Sequence, residues 1–226
     1  MSPRPKAACV LILAVSVIQI IASANALPVP TPSSRSARTP AEKAVEAYNH
    51  GIDARNRALT AEEQARRIST AADRVFNEET AREELERALE LFEQAATFDP
   101  GLPQAWNAIG FVHRKLGNYE LSLGAYDRAL ALAPNFPDAL EYRGETFLAL
   151  NRIADAKEAY LAVFALDRKQ AEILLKAMSA WIAERKAQPA GTQPSVLADL
   201  ETWINERTGL AQQTRLMGYD AVYTSW

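Results

Sequence analysis

Residues that could perform catalysis or bind a metal are few and widely separated in this chain of 226 residues. There are two histidines, His50 and His113, and one cysteine, Cys9. A metal site or an activated nucleophile needs partners at a defined spacing, as in His-Glu-x-x-His or Gly-x-Ser-x-Gly. Neither motif occurs, and the sequence has no phosphate-binding glycine loop. We therefore expect no catalytic residue, no metal, no cofactor and no enzymatic activity.

Carboxylates are plentiful between residues 62 and 87, but arginines are interleaved with them. Glutamate and arginine three or four residues apart on a helix form ion pairs on a solvated face. This pattern favours a water-exposed helix over a pair of catalytic carboxylates. The net charge of −3 also argues against nucleic acid or an anionic membrane surface as the main partner, since both are usually bound by clustered positive charge.

The helices are organised by a pattern that recurs every 34 residues. The unit from 103 to 136 contains two apolar helical faces joined by a turn at Leu116 and Gly117. A fixed period of this length is typical of a helical solenoid. The matched positions are Gly110 with Gly144, Leu116 with Leu150, Tyr126 with Tyr160 and Phe92, Ala129 with Ala95, and Pro134 with Pro100.

Side-chain size within the repeat predicts how the helices pack. Small residues allow close approach of backbones, and large residues fill the gaps that remain. A single hairpin cannot bury its apolar face, so each hairpin must stack on the next. The small positions are Gly110, Gly144, Ala88, Ser122, Ala129 and Ala156, and the large ones are Trp106, Tyr126, Phe147 and Tyr160.

The series Trp106, Leu116, Gly117, Tyr119, Ala129 and Pro134 resembles the signature of the tetratricopeptide repeat family. The sequence departs from that signature at His113, Leu140, Asn151 and Arg168. The resemblance implies an all-α fold, a right-handed α-solenoid of three stacked helical hairpins with an extended first hairpin and a C-terminal helical cap. The predicted segments are repeats at 41–102, 103–136 and 137–170, capping helices at 171–208 and a tail at 209–226.

The first hairpin is predicted to be longer than the others. The residue in it that corresponds to Gly110 is Gly51, which lies 25 residues further back than the period requires. Because 25 residues are close to seven turns at about 3.6 residues per turn, this insertion keeps the apolar stripe on one face. We place the turn of this hairpin between Asn77 and Thr80. Two pairs have the spacing of helix-capping boxes, Thr60 with Glu63 and Thr80 with Glu83.

Residues 1–26 have the features of a secretory signal peptide. Arg4 and Lys6 precede an apolar run of 15 residues, and Ala24 to Ala26 form a cleavage site. A transmembrane anchor is the alternative, but the run is short for that role. Residues 27–40 are a linker rich in proline and serine. Cleavage would change the net charge to −5, because it removes two positive charges, and would leave a periplasmic or secreted protein without a stable membrane anchor.

In the tetratricopeptide family the first helix of each hairpin lines a concave groove. Phe111 lies about 100° around the helix from the buried Gly110, so we expect Phe111, Arg114 and Tyr142 to form the centre of this groove. One family mode holds a peptide carboxylate with basic residues, but the third repeat has an acidic border, which favours a partner with some positive charge. The predicted partner-binding residues are Tyr48, Ile52, Arg55, Gln104, Asn107, Phe111, Arg114, Asp138, Glu141, Tyr142 and Glu145.

Two functions are consistent with this sequence. The first is a non-catalytic protein-protein interaction scaffold of the bacterial cell envelope, which holds a partner peptide or protein segment in the groove. The second is a structural or accessory subunit that associates with its own copy through the long first hairpin. The chain also resembles secreted bacterial tetratricopeptide proteins that are loosely labelled as TonB-system or envelope components.

The leader predicts a defined mature N-terminus. Expression of the full chain in a bacterial host should yield a periplasmic protein that begins at Leu27, as measured by mass spectrometry. Replacing Ala24 and Ala26 with glutamine should block cleavage, because the peptidase accepts only small residues there. A chain that keeps Met1 and sediments with the membranes would support the anchor instead.

Overall fold

The computed structural model describes residues 38–188 and 192–216, with side chains described through residue 213. The predicted signal peptide, most of the predicted linker and the aromatic residues Tyr219, Tyr223 and Trp226 lie outside the described residues. The described part is all-α. Its helices are α1 (Pro40–Arg67), α2 (Ala71–Phe98), α3 (Pro103–Lys115), α4 (Tyr119–Leu132), α5 (Pro137–Ala149), α6 (Ile153–Leu166), α7 (Arg168–Ala187) and α8 (Pro194–Leu216).

The helices form the predicted solenoid of three hairpins, α1 with α2, α3 with α4, and α5 with α6. Each later hairpin begins with a proline at the first turn of its first helix, Pro103 or Pro137. Proline is tolerated there because the first turn has no intrahelical acceptor for its missing N–H. Within residues 38–188 and 192–216, no helix combines the length and apolarity needed to cross a membrane.

The long first hairpin is confirmed, but the predicted position of its turn is wrong. Each of its helices has 28 residues, and the connection between them runs from Ile68 to Thr70. Thr70 ends this connection because its side chain accepts a hydrogen bond from the backbone N–H of Asp73. The predicted turn at residues 77–80 lies inside α2.

Neither predicted capping box caps a helix. The hydroxyl groups of Thr60 and Thr80 donate to the carbonyl oxygens of Asn56 and Phe76, four residues back within their own helices. A capping box is present instead at the start of α1, where the Thr39 side chain accepts from Glu42 N and the Glu42 carboxylate accepts from Thr39 N.

Small residues hold α1 against α2. The buried residues of α1 are six alanines and Gly51, spaced alternately three and four residues apart. This spacing keeps one narrow stripe facing the partner helix along the whole hairpin. Because alanine side chains are short, the helices approach closely and bury the larger Leu85 and Phe92 of α2.

The predicted small-to-large contacts are present in the first two hairpins, with one correction, whereas Gly144 of the third hairpin faces Leu174 of α7. An added Cβ at Gly110 would lie 2.6 Å from Cε1 of Tyr126, a ring with 0% exposure. Gly51 faces Phe92 in the same way. Trp106, however, is only half-buried, and its Nε1 donates to the Pro100 carbonyl oxygen at 3.0 Å. The indole therefore closes the preceding loop and packs at the edge of the core rather than inside it.

Helices α7 and α8 cap the last hairpin as predicted. Asp167 caps α7, accepting from the backbone N–H groups of Lys169 and Gln170, and α7 packs on both helices of the third hairpin. Trp203 of α8 makes an edge contact with Tyr160, with ring centroids 5.1 Å apart. The predicted tail from residue 209 is partly wrong, because α8 continues as helix to Leu216.

The glycine contacts predict opposite effects for two substitutions. Gly110→Ala forces a methyl group into the buried Tyr126 ring, so we expect a loss of about 1–3 kcal/mol in the free energy of unfolding. Gly124→Ala in α4 meets no atom within 4 Å, so its better helix propensity should add about 0.5–1 kcal/mol. Urea unfolding measures both, and equal effects would contradict the packing described here.

Candidate functional site

Phe111, Arg114 and Tyr142 do come together across neighbouring helices, as predicted. The rings of Phe111 in α3 and Tyr142 in α5 meet edge to face with centroids 5.5 Å apart. The Arg114 guanidinium lies over both rings, at 5.4 Å from the Phe111 centroid and 5.5 Å from that of Tyr142. We call these three residues the aromatic-arginine cluster. All three side chains are half-buried, so they remain accessible from one side.

Arg114 is held in place by an ion pair. Its Nη1 lies 2.6 Å from Oε2 of Glu145, which is on α5, and both side chains are mostly shielded from water. A charged pair in a partly buried setting is stronger than one at the surface. Glu145 therefore fixes the guanidinium between the two rings.

Arg55 of the first hairpin lies beside the aromatic-arginine cluster. Its guanidinium lies 5.7 Å from the Phe111 ring centroid, and its Nη2 donates to the side-chain oxygen of Asn56. Among the described residues Arg55 makes no ion pair. Tyr48 lies earlier in α1 than Arg55 and packs against Phe92, with ring centroids 5.5 Å apart. Ile52, between them, is half-buried against the core of the hairpin.

Three other predicted residues are placed without a shared contact. Gln104 and Asp138, near the starts of α3 and α5, are exposed, and Asn107 is half-buried with a buried Oδ1 that has no hydrogen-bond partner within the described residues. Asp138 forms no ion pair there. It does lie close enough to Tyr48 and Tyr142 that its charge raises their pKa values, although burial is the larger cause.

The prediction that Glu141 lies on an exposed acidic border is wrong. It is 1% exposed, because α7 covers it and Gln170 Nε2 donates to its Oε2 at 2.9 Å. Burial, together with the nearby Glu145 carboxylate, raises the pKa of Glu141 to about 8. The Glu141 side chain therefore carries a proton at neutral pH and cannot attract a cationic partner.

The predicted acidic border is reduced to one residue. Glu141 is buried and Glu145 is paired with Arg114, so only Asp138 remains exposed without an ion pair among the described residues. Arg55, a positive charge that is half-buried, also has no ion pair among the described residues. The groove thus offers one anion and one cation rather than an acidic edge.

Gln170 is a site residue that the sequence reasoning missed. It lies 29 residues beyond Glu141 and in the next structural unit. A pattern within one helix carries no information about which residue will cover it from another element. The only signal was the polar residue in the first turn of α7, which had no apparent role there.

The histidines and carboxylates do not assemble a metal site within the part of the chain that the structure describes. His50 is exposed in α1, and His113 is half-buried in α3. Burial lowers the pKa of His113, so its ring is neutral at pH 7. Its Nδ1 has no hydrogen-bond partner among the described residues.

The hairpin geometry agrees with a comparison to known protein families. Residues 103–136 match the model of the tetratricopeptide repeat family. The central hairpin is therefore similar to a tetratricopeptide repeat. Its limits are those predicted from the 34-residue period.

Similarity to individual proteins is limited in identity or in extent. The chain is 33% identical over 67 residues to the uncharacterized protein ycf37 of Guillardia theta, which covers 30% of this chain and 38% of that protein. The first tetratricopeptide domain of Spaghetti (RPAP3), solved with the HSP90 peptide SRMEEVD, is 20% identical, with coverage of 56% and 94% and a TM-score of 0.40. The CopN-Scc3 complex is 14% identical, with coverage of 71% and 95% and a TM-score of 0.44.

The buried Glu141 predicts an unusual dependence of stability on pH. Its pKa of about 8 in the folded state exceeds that of an unfolded glutamate, about 4.3. The folded state therefore binds the extra proton, and the free energy of unfolding should fall as pH rises from about 5 through 8. Glu141→Gln, which stays neutral, should lose this dependence and be the more stable protein at pH 9.

Urea unfolding between pH 5 and pH 9 measures this difference. Asp138→Asn on the same helix is the control, since Asp138 is exposed. Its replacement should change the urea midpoint of unfolding by the same amount at every pH above 5. Parallel curves for wild type and Glu141→Gln would mean that Glu141 is ionised in the folded protein.

Proposed function

We propose that this protein is a non-catalytic scaffold that binds a segment of a partner protein at the aromatic-arginine cluster. The observation that carries this proposal is the cluster itself, two half-exposed rings from neighbouring hairpins with a guanidinium between them. Aromatic and arginine side chains are the most frequent carriers of binding energy at protein interfaces.

Preorganisation supports this assignment. The Glu145 carboxylate already holds Arg114 over the rings of Phe111 and Tyr142. A partner would therefore meet a surface whose side chains have little rotamer freedom left to lose. Since ordering a long side chain on binding costs about 0.5–1.5 kcal/mol, a fixed arginine favours affinity.

The charges favour a partner segment that carries both signs. Arg55 lies against Phe111 at one side of the cluster, and Asp138 acts on the hydroxyl of Tyr142 at the other. We infer that an acidic group of the partner pairs with Arg55 and a basic group with Asp138. An apolar side chain between them would contact the two rings. This arrangement would also fix the direction of the bound segment.

We further propose that the protein works in the bacterial cell envelope, as a periplasmic or secreted component of the kind labelled as TonB-associated. The support is the signal-like leader at residues 1–26 and the resemblance stated above.

A second candidate function is self-association through the long first hairpin. One observation favours it: Val75 and Phe76, near the turn of this hairpin, are 60% and 69% exposed. Large apolar side chains at such exposure are typical of contact surfaces.

Partner capture tests the first function. The purified protein is immobilised and exposed to an extract of the source cells, and bound proteins are quantified by mass spectrometry. The Phe111→Ala, Tyr142→Ala double variant should lose at least about tenfold of the captured partner, because each ring contributes on the order of 1 kcal/mol or more. Arg55→Ala, which removes no core side chain, should weaken capture in the same direction.

Phe76→Ala is the matched control, since it removes an aromatic ring outside the cluster. Undiminished capture by the double variant, with an unchanged circular dichroism spectrum, would place the partner site elsewhere.

Sedimentation of wild type and Phe76→Ala tests the second function. A wild-type dimer that dissociates in Phe76→Ala would favour self-association.

A further inference from the structure

A second surface is formed by α2, α3 and α4, and it shares no residue with the aromatic-arginine cluster. A crevice of about 580 Å³ opens between these helices. Its lining includes Glu93 and Ala96 on the α2 wall, Leu121 and Gly124 on the α4 wall, and His113 of α3. We call it the α2–α4 crevice.

The repeat supplies an internal comparison, because the same positions occur 34 residues later between α4 and α6. There Leu130 stands in place of Ala96, and Phe147 in place of His113. Both larger side chains pack into the hydrophobic core of the third hairpin. The same position is therefore filled by the chain itself in one repeat and left as a crevice in the other.

The two positions also differ in whether their carboxylate forms an ion pair. In the filled position, Arg143 Nη1 lies 2.8 Å from Oδ1 of Asp127, and the guanidinium lies 5.7 Å from the Phe147 ring centroid. In the crevice the residue corresponding to Asp127 is Glu93, but Ile109 replaces the arginine. Glu93 is exposed and has no ion pair among the described residues.

Neighbouring residues do not compensate Glu93. His113 is close enough for the Glu93 charge to act on it, but burial lowers the pKa of His113, so it is neutral at pH 7. Arg128 stacks on the Trp106 ring at 5.8 Å and forms no ion pair within the described chain. Glu120, at the opposite wall, is a second exposed carboxylate without an ion pair there.

The crevice also has an accessible apolar side. Leu121 is 61% exposed, and a Cβ added at Gly124 would meet no atom within 4 Å. The corresponding residues in the next repeat are Asp155 and Glu158. An apolar wall that faces water next to two carboxylates without ion pairs among the described residues is complementary to a group that is both apolar and cationic.

We propose that the α2–α4 crevice binds a segment of a partner protein in which an arginine is adjacent to an aliphatic side chain. The arginine pairs with Glu93, as Arg143 pairs with Asp127 in the next repeat. The aliphatic side chain occupies the space above Ala96 and beside Gly124. This site is independent of the aromatic-arginine cluster, so the scaffold can hold two segments at once.

Selection from a peptide library tests this proposal. A displayed library of random 15-residue peptides is selected on the purified protein and counter-selected on Gly124→Leu, which fills the crevice without meeting another atom at its Cβ. We expect enrichment of arginine next to leucine, isoleucine or valine. No enrichment, or enriched peptides without arginine, would overturn the proposal.

Binding of a selected peptide is then measured by fluorescence anisotropy. Replacing its arginine with citrulline, or Glu93 with glutamine, should weaken binding about tenfold, as expected for loss of a charge-assisted hydrogen bond. Glu83→Gln, an exposed carboxylate of the same helix outside the crevice, should leave binding unchanged, as should the Phe111→Ala, Tyr142→Ala variant.

Two results would reject the assignment. Equal binding to wild type, Glu93→Gln and Gly124→Leu would place the peptide elsewhere on the protein. Sedimentation as a dimer that Gly124→Leu converts to a monomer would identify the occupant as a second copy of this chain rather than a partner.

Discussion

Each hairpin of this solenoid depends on the close approach of one glycine to a large side chain. Gly51 lies against Phe92 and Gly110 against Tyr126, while Gly144 of the third hairpin faces Leu174 of the capping helix α7. The absent Cβ lets two backbones come near enough for a ring to be fully buried between them. In the first two hairpins this contact sets the distance between the two helices of the hairpin. It thereby helps to place the first helices, whose side chains meet in the groove.

The two proposed surfaces follow from that spacing in different ways. At the aromatic-arginine cluster, helices α3 and α5 bring Phe111 and Tyr142 to edge contact, with Arg114 fixed between them by Glu145. At the α2–α4 crevice the same spacing leaves a gap, because the positions that carry large side chains in the next repeat carry small ones here. A regular backbone with irregular side-chain volume therefore produces both a filled surface and a recess.

Burial changes the electrostatics that a charge count would predict. Glu141 is an ordinary glutamate in the sequence, but α7 covers it, and its raised pKa removes one charge from the groove at neutral pH. Glu145 is neutralised by Arg114. The sequence predicted an acidic border. In the folded protein the groove instead has one anion, Asp138, and one cation, Arg55, that form no ion pair among the described residues.

The sequence by itself determined the helical class, the contacts of Gly51 and Gly110 with large rings and the meeting of Phe111 with Tyr142, because all of these follow from spacing along the chain. Only the tertiary structure decided the turn of the first hairpin, the burial of Glu141 and the crevice beside Gly124. These features depend on which side chains arrive from other helices and how much volume they fill. A helical period predicts the direction of a residue, but it cannot tell what lies opposite.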